Sequence, residues 1–431
     1  MKMTSGLFSF TIHNVNMKIW KKKIGRLLRW SEKYTKTDMI YAARGGSWLV
    51  LGRIILNAIT FATMLAFANF LPQETYGSYQ FIISIVVTLK IFSLPGMNTA
   101  LLQSTAKGYE GSLIEAFKVK TRWSLIGAGI LLIIAAYYAI NENVLLAGSF
   151  FIIALFFPFR ESLAISSCFW GGKKKFDTKT FISILIKLGG ALALIPTLIL
   201  TDNLWIIILV IFSSSILLKG LTFIYTSKQT ENSTFDEEMI SYGKNLTGMK
   251  IVGQVTKELD KIILWTILGP AEVAIYSFTQ KPLEKIRKLM PFESLALPKL
   301  TENGVRGRKR KIKILKKIML LFLFTGPVAV ITALAAPWLY ELLLPQYQES
   351  VVYFQILVLL LALKPLSLTG TALTAEKKIK YLYITRTTLP ILRVTLFLIF
   401  TPLYGLPGMI GSLVANNLIG KALNLYFFWR M

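Results

Sequence analysis

The chain has 431 residues, 54% of them hydrophobic and 16% charged, with a formal net charge of +27 and a mean hydropathy of +0.56. A soluble protein carries about a quarter charged residues to wet its surface, so a soluble fold is excluded, and the lack of strand-like alternation excludes a β-barrel. A single cysteine, Cys168, and a single histidine, His13, exclude a disulfide framework and a thiolate or imidazole metal cluster; no metal and no cofactor is expected, and Cys168 reads as a small packing residue.

The first residues are polar and show no cleavable signal peptide. Met17 to Lys36 is basic, with Trp20, Ile24, Leu27 and Leu28 at helical spacing, which predicts an interfacial amphipathic helix on an anionic cytoplasmic leaflet. Met17 is also a second candidate start. Apolar runs of roughly twenty residues, the length that crosses the hydrocarbon core, then fill the chain. They predict helices over 46–70, 77–102, 118–140, 144–170, 177–200, 204–226, 243–268, 271–299, 314–341, 350–375, 379–402 and 406–429. The expected fold is therefore an all-α polytopic membrane protein of about twelve transmembrane helices.

The connections alternate in charge. Those around Pro72–Thr75, Asn141–Asn143, Thr201–Asn203, Gly269–Val273, Glu341–Glu349 and Tyr404–Pro407 hold no Lys or Arg. The intervening ones hold Lys173-Lys174-Lys175, the run Arg306 to Lys317, and Lys377-Lys378-Ile379-Lys380. The positive-inside rule then places both termini in the cytoplasm of a cell inner membrane. It also accounts for the loop cations without nucleic acid.

The longest polar connection, Ser227 to Ser241, is acidic and divides the spans into two sets of six. The predicted organisation is a cytoplasmic segment 1–45, a six-helix lobe 46–226, a linker 227–242 and a second six-helix lobe 243–431. A shift of 197 positions supports two parallel repeats, pairing Arg53 with Lys250, Asn57 with Gln254, Tyr79 with Tyr276, Phe81 with Phe278 and Lys90 with Arg287.

An ionisable residue in mid-bilayer costs a few kcal/mol unless paired or hydrated. Arg53, with Asn57 on the same helical face, Lys90, Lys364 and Arg393 are such residues. Lys250, Gln254, Lys257 and Lys261 follow i, i+4, i+7, i+11 and predict one polar stripe on the seventh span, while Lys281, Glu284, Lys285 and Lys288 cluster on the eighth. Lys187 and Lys219 are close enough to the cytoplasmic side to snorkel to the headgroups. Helical spacing also predicts the pairs Glu258–Lys261, Lys257–Asp260 and Glu284–Lys288. Cations remain in excess, so a positive lumen for an anionic ligand is expected.

The segment DKIILWTILGPAEVAIYSF (Asp260 to Phe278), the later Leu297-Pro298-Lys299-Leu300, the stretch Gly45 to Tyr79 and PLYGLPGMIGS (Pro402 to Ser412) together resemble the oligosaccharide flippases (Wzx type). These form the polysaccharide-biosynthesis branch of the multidrug/oligosaccharidyl-lipid/polysaccharide exporter superfamily. The resemblance covers essentially the whole chain. It departs at Asp260–Lys261, where the family commonly has Asp-Arg, so forked hydrogen bonding at Lys261 is lost. The resemblance implies a MATE-like fold of two six-helix bundles around a cavity open alternately to either side. It also implies movement of a polyprenyl-pyrophosphate-linked glycan to the outer leaflet. Membrane lipids, a polysaccharide polymerase and glycosyltransferases are the implied partners.

The candidate substrate-binding residues are Arg53, Asn57, Lys90, Lys250, Gln254, Lys257, Lys281, Lys285, Lys364 and Arg393; Glu258, Asp260 and Glu284 are ion-coupling candidates. A peptidoglycan-precursor flippase needs the same anion-binding lumen and is one alternative. A MATE-type multidrug antiporter is another, although organic cations call for an acidic or aromatic lumen. An enzyme is not expected, because the neutral loops are short and no phosphate loop, metal set or nucleophile triad appears.

Overall fold

The computed structural model describes residues 39–431 apart from 306, with side chains from residue 48 onward apart from 252, 303 and 306. The predicted amphipathic helix over Met17–Lys36 lies outside the described residues. Among the described residues all regular structure is helical, and the fold is an all-α polytopic membrane protein.

The first half runs α1 (Met39–Phe70), α2 (Gln73–Leu89), α3 (Met97–Ala106), α4 (Ser112–Ile140), α5 (Val144–Ser162), α6 (Ser166–Gly172), α7 (Phe176–Leu200) and α8 (Leu204–Ser227). The second half runs α9 (Glu238–Gly248), α10 (Ile251–Val255), α11 (Leu259–Leu268), α12 (Pro270–Lys288), α13 (Phe292–Asn303), α14 (Arg308–Leu343), α15 (Ser350–Leu359), α16 (Ser367–Ala375) and α17 (Ile379–Arg430). Each predicted span coincides with one helix or with pieces of a broken one. Among the described residues eight helices are long and apolar enough to cross a membrane, and the pair Ser350–Leu359 and Lys364–Ala375, bent by 48°, makes a ninth where it is counted as one span.

The helix boundaries have local causes. Asn143 Oδ1 accepts from Leu146 N at 3.0 Å, and Asn203 Oδ1 accepts from Trp205 N at 3.0 Å, so two connections free of Lys and Arg end in an N-cap asparagine. Gly269, at φ 97°, reverses the chain directly into Pro270, the first residue of α12. The 52-residue α17 holds the two last predicted spans, divided at Gly405 (φ 63°). Ser412 Oγ donates to Leu396 O at 3.2 Å across that reversal.

Two predictions need correction, and one further break falls where Pro95-Gly96 leads one to expect it. The second span breaks at Leu94 (φ 51°), directly before Pro95-Gly96, separating α2 from α3. The seventh is three pieces, α9, α10 and α11, so Lys250, Gln254, Lys257 and Lys261 do not form one continuous stripe. The eighth divides into α12 and α13 at Met290-Pro291. Proline removes a donor and clashes with the preceding turn, which accounts for the first and third breaks.

These broken helices lie innermost. α2 packs on α12, α3 on α9, and α11 on α17. A Cβ on Gly77 would fall 1.8 Å from Pro270 O, and one on Gly96 2.3 Å from Gly243 O. Such backbone approaches admit only glycine. A hydrophobic core joins Phe67, Tyr76, Leu264, Phe278, Tyr340 and Tyr347 around the α2–α12 crossing. The polar linker is fastened to the first half: Lys173 Nζ lies 2.7 Å from Glu110 Oε1 and 2.8 Å from Glu231 Oε1, and Ser104 Oγ donates to Asp236 Oδ2 at 2.8 Å.

Two outcomes are expected. Gly77→Val should force α2 away from Pro270 and lower stability by about 1–3 kcal/mol, read as a fall in the thermal midpoint of purified protein. At the linker, burial alone would push the Lys173 ammonium down, but its hydrogen bonds to Glu110 and Glu231 raise it overall. Its bond to Lys173 holds Glu231 below the usual carboxylate range. The clasp is thus intact through neutral pH. It is lost as pH falls through the depressed Glu231 value or rises through the raised Lys173 value. A spin label at Ser233→Cys, in a Cys168→Ser background, should stay immobile across neutral pH, gain mobility at both extremes, and be mobile at pH 7 in Lys173→Ala.

Candidate functional site

Two cavities bearing charged side chains lie among the broken helices and share Lys281 and Glu284 of α12. The larger, 600 Å³, is lined by Thr60, Thr63, Met64 and Phe67 of α1, Tyr79 and Gln80 of α2, Arg160 of α5, Lys187 of α7 and Lys219 of α8. Lys285 and Lys288 of α12 complete it. The smaller, 380 Å³, is lined by Lys257, Glu258, Asp260, Lys261, Tyr276, Ser277, Gln280, Arg287, Arg393, Asn416 and Asn417. Repeat-related residues are divided between them, with Tyr79 in the larger and Tyr276 in the smaller.

In the larger cavity most of the cations lack a carboxylate within ion-pair distance. Among the described residues, none of Arg160, Lys187, Lys219, Lys281 or Lys285 has a carboxylate within ion-pair distance. Arg160 stacks over the Phe212 ring at 4.3 Å and its buried Nε has no acceptor. Lys219 Nζ donates to Arg160 O at 3.0 Å. Lys281 Nζ donates to Tyr76 Oη and lies 4.8 Å from the centre of its ring. Glu284 is 3.9 Å from Lys288, the predicted helical pair.

In the smaller cavity the carboxylates are occupied. Asp260 Oδ2 accepts from Tyr276 Oη at 2.6 Å and from Arg393 Nη2 at 2.9 Å, and its Oδ1 accepts from Lys261 N at 2.9 Å. Glu258 Oε2 lies 2.6 Å from Lys261 Nζ, as predicted, while Lys257 lies 3.8 Å from Glu258 instead of pairing with Asp260. The helix breaks between Lys257 and Leu259, which removes the register that pair needs.

The remaining predicted residues are scattered. Arg53 and Asn57 are exposed on α1, on the face that leads to Thr60 in the larger cavity. Lys90 is bound to Glu161 at 2.6 Å, below which Lys120, 1% exposed, donates to Asn98 Oδ1 at 2.9 Å. Lys250 is exposed at the break between α9 and α10. Gln254 Nε2 donates to Val87 O at 2.7 Å and so joins α10 to α2. Lys364 pairs with Glu293 at 3.6 Å and lines neither cavity.

Several lining residues were not among the candidates. Lys187 and Lys219, read as snorkelling, instead face the larger cavity. Arg160 and Glu161 carried a usable signal, an adjacent charge pair inside an apolar run after Pro158. Asn416-Asn417, two amides within the last span, carried another.

The two ends of the bundle differ. At the end whose connections carry no Lys or Arg, Asn69 Nδ2 donates to Leu343 O at 3.1 Å, Gln346 Nε2 to Asn69 O at 3.2 Å, and Gln73 Nε2 to Gln346 O. Beneath them the Phe278 and Tyr347 rings lie 4.0 Å apart, with Tyr76 4.7 Å from Phe278. This end is sealed above Lys281.

The model of the family described as "Polysaccharide biosynthesis protein" matches residues 42–293. The chain belongs to that family. A family member with this geometry has neighbours among solved structures. One is "Lipid II flippase MurJ, inward closed conformation", with TM-score 0.66 and 14% identity over 89% of this chain and 87% of that one. Another is the "Inward-facing conformation of a multidrug resistance MATE family transporter of the MOP superfamily", with TM-score 0.62 and 13% identity over 87% and 94%. The "Outward-facing conformation" of a transporter so described matches at TM-score 0.56 and 15% identity, over 90% and 94%. At these identities the likeness is one of fold, which is MATE-like. No curated protein matches the sequence.

The Asp260–Arg393 pair is open to a direct check. Asp260→Ala or Arg393→Ala alone should lower stability by about 1–3 kcal/mol, since each strands a partner in a low-dielectric site. The double variant should lose less than the sum. A thermal double-mutant cycle giving no coupling would show that the pair contributes nothing.

Proposed function

We propose that this protein is a flippase that carries a polyprenyl-pyrophosphate-linked oligosaccharide across the cytoplasmic membrane for surface polysaccharide synthesis. The observation that carries the reading is the set of unneutralised cations around the larger cavity. Arg160, Lys187, Lys219, Lys281 and Lys285 converge there without a carboxylate partner, at a depth where an unpaired charge is costly. A pyrophosphate supplies the missing negative charge, and arginine and lysine are the side chains that hold phosphate oxygens. The polyprenyl tail stays in lipid while the headgroup takes the hydrated path.

On this reading the basic connections and both termini face the cytoplasm and the sealed end faces outward. The cavity then receives substrate from the inner leaflet, and alternating access requires the Asn69–Gln346 and Tyr76–Phe278–Tyr347 contacts to part. Lys90 and Arg393 act through their carboxylate pairs, and Arg53 lies at the cavity mouth. Asp260 and Glu258 serve ion coupling only after their cationic partners move away. A catalytic role is not proposed. A multidrug antiporter is disfavoured because cations outnumber the lone Glu284 in the larger cavity.

Arg160→Ala, Lys187→Ala, Lys219→Ala and Lys281→Ala should each reduce export of lipid-linked glycan by about tenfold or more, the scale of one charge-assisted hydrogen bond. Membrane insertion, measured by immunoblot, should not change. Full export by all four variants would refute the cationic path. On deletion of the gene, a lipid-linked oligosaccharide should accumulate on the inner leaflet. Accumulation of the peptidoglycan precursor in its place would identify the alternative substrate.

A further inference from the structure

The smaller cavity differs from the larger one in kind. Beyond the shared Lys281 and Glu284, its charges are Lys257, Lys261, Arg287 and Arg393 against Glu258 and Asp260, and both carboxylates are held by cations within the same wall. What it leaves unpaired is Arg287, which among the described residues has no carboxylate within ion-pair distance, and a set of hydrogen-bonding atoms. Ser277 Oγ, Asn416 Oδ1 and Asn417 Oδ1 are buried without a hydrogen-bond partner, as is Arg393 Nε. Ser277 is fully enclosed, at 0% exposure. A buried polar group without a partner costs roughly 1–3 kcal/mol, so four around one cavity need a ligand or water to satisfy them.

The atom types select the ligand. The two amide oxygens accept hydrogen bonds while Arg287 and Arg393 Nε donate them, so the unpaired groups of this wall are of both kinds. A sugar hydroxyl both donates and accepts, so it satisfies amide oxygens, a serine hydroxyl and a guanidinium N–H together. Leu357, Leu360 and Leu413 supply an apolar wall on which the C–H face of a pyranose can rest. A volume of 380 Å³ falls at the lower part of the range of small-molecule sites, about 300–1,000 Å³. Lys281 stands at the boundary with the cationic cavity.

We propose that the cavity lined by Ser277, Arg393, Asn416 and Asn417 is a glycan subsite, holding the sugar next to the pyrophosphate, while Arg160, Lys187 and Lys219 across Lys281 hold the pyrophosphate itself. This rests on the flippase reading and divides its substrate between two compartments. The glycan compartment recognises hydroxyl groups, and the cationic one recognises charge. A lipid pyrophosphate lacking sugar therefore fills only half of the site.

The test measures equilibrium binding of two lipids to the detergent-purified protein: undecaprenyl pyrophosphate, and the lipid-linked glycan extracted from cells lacking this protein. Wild type should bind the glycan-bearing lipid about tenfold more tightly. Ser277→Ala and the double variant Asn416→Leu/Asn417→Leu should bring the two lipids toward equal affinity and leave undecaprenyl pyrophosphate binding unchanged. Ser277→Ala removes an unsatisfied hydroxyl, so its thermal midpoint should not fall, and weaker glycan binding by it is not misfolding. Arg160→Ala should weaken both lipids equally. Equal wild-type affinity for the two lipids, or variants that weaken both alike, would overturn the glycan subsite and leave the flippase reading standing. Failure of wild type to bind either lipid would overturn both.

Discussion

An ionised side chain in hydrocarbon costs about 2.5–3.5 kcal/mol even after it snorkels and water follows it in, and this chain carries far more embedded cations than acids. The fold places the helices that bear them, α5, α7, α8, α11, α12 and α17, so that their charged side chains line two cavities. The apolar lengths of α1, α4 and α14 are turned outward, where Ile54, Ile133 and Leu334 are exposed. On the flippase reading, the larger cavity is arranged around a negative charge that the substrate supplies.

The second requirement is that backbone polar groups stay bonded while the inner helices bend. Lipid-facing helices can run unbroken, but a helix that curves around a cavity must interrupt its ladder where protein or water can satisfy the freed groups. The breaks at Leu94, at Thr256 to Glu258 and at Met290-Pro291 are all on the inner helices. Close backbone contacts then hold the pieces: Gly77 against Pro270, Gly96 against Gly243, and Gly96 N donating to Thr247 Oγ1 at 3.0 Å. The sealed end depends mainly on side-chain amides and stacked rings around Tyr347. Such contacts are exchangeable at modest cost, whereas the glycine crossings resist separation.

On the proposed reading, the larger cavity meets its occupant as charge and the smaller meets it as hydrogen-bonding surface. The difference comes from pairing: Lys261 and Arg393 are as cationic as Lys187 and Lys219, but Glu258 and Asp260 already hold them. Lys281, bonded to the Tyr76 hydroxyl beside the closed end, is the one cation common to both compartments.

The sequence by itself determined the helical class, the position of every span and the alternation of basic and neutral connections. Each depends on a run of some twenty apolar residues or on charge between such runs, and both are local properties. Helical spacing also sufficed for Glu258–Lys261 and Glu284–Lys288, whose partners are a single turn apart. It failed for Lys257–Asp260, because the intervening break changes the register. Only the tertiary structure decided which cations are free. Arg393 is neutralised by a carboxylate 133 positions away, and Lys90 by Glu161 from another helix. Lys187 and Lys219, which local position would send to the headgroups, turn inward because the faces that carry them pack around the cavity. Embedded charge is legible in a sequence, but its compensation is a contact between distant segments and exists only in the fold.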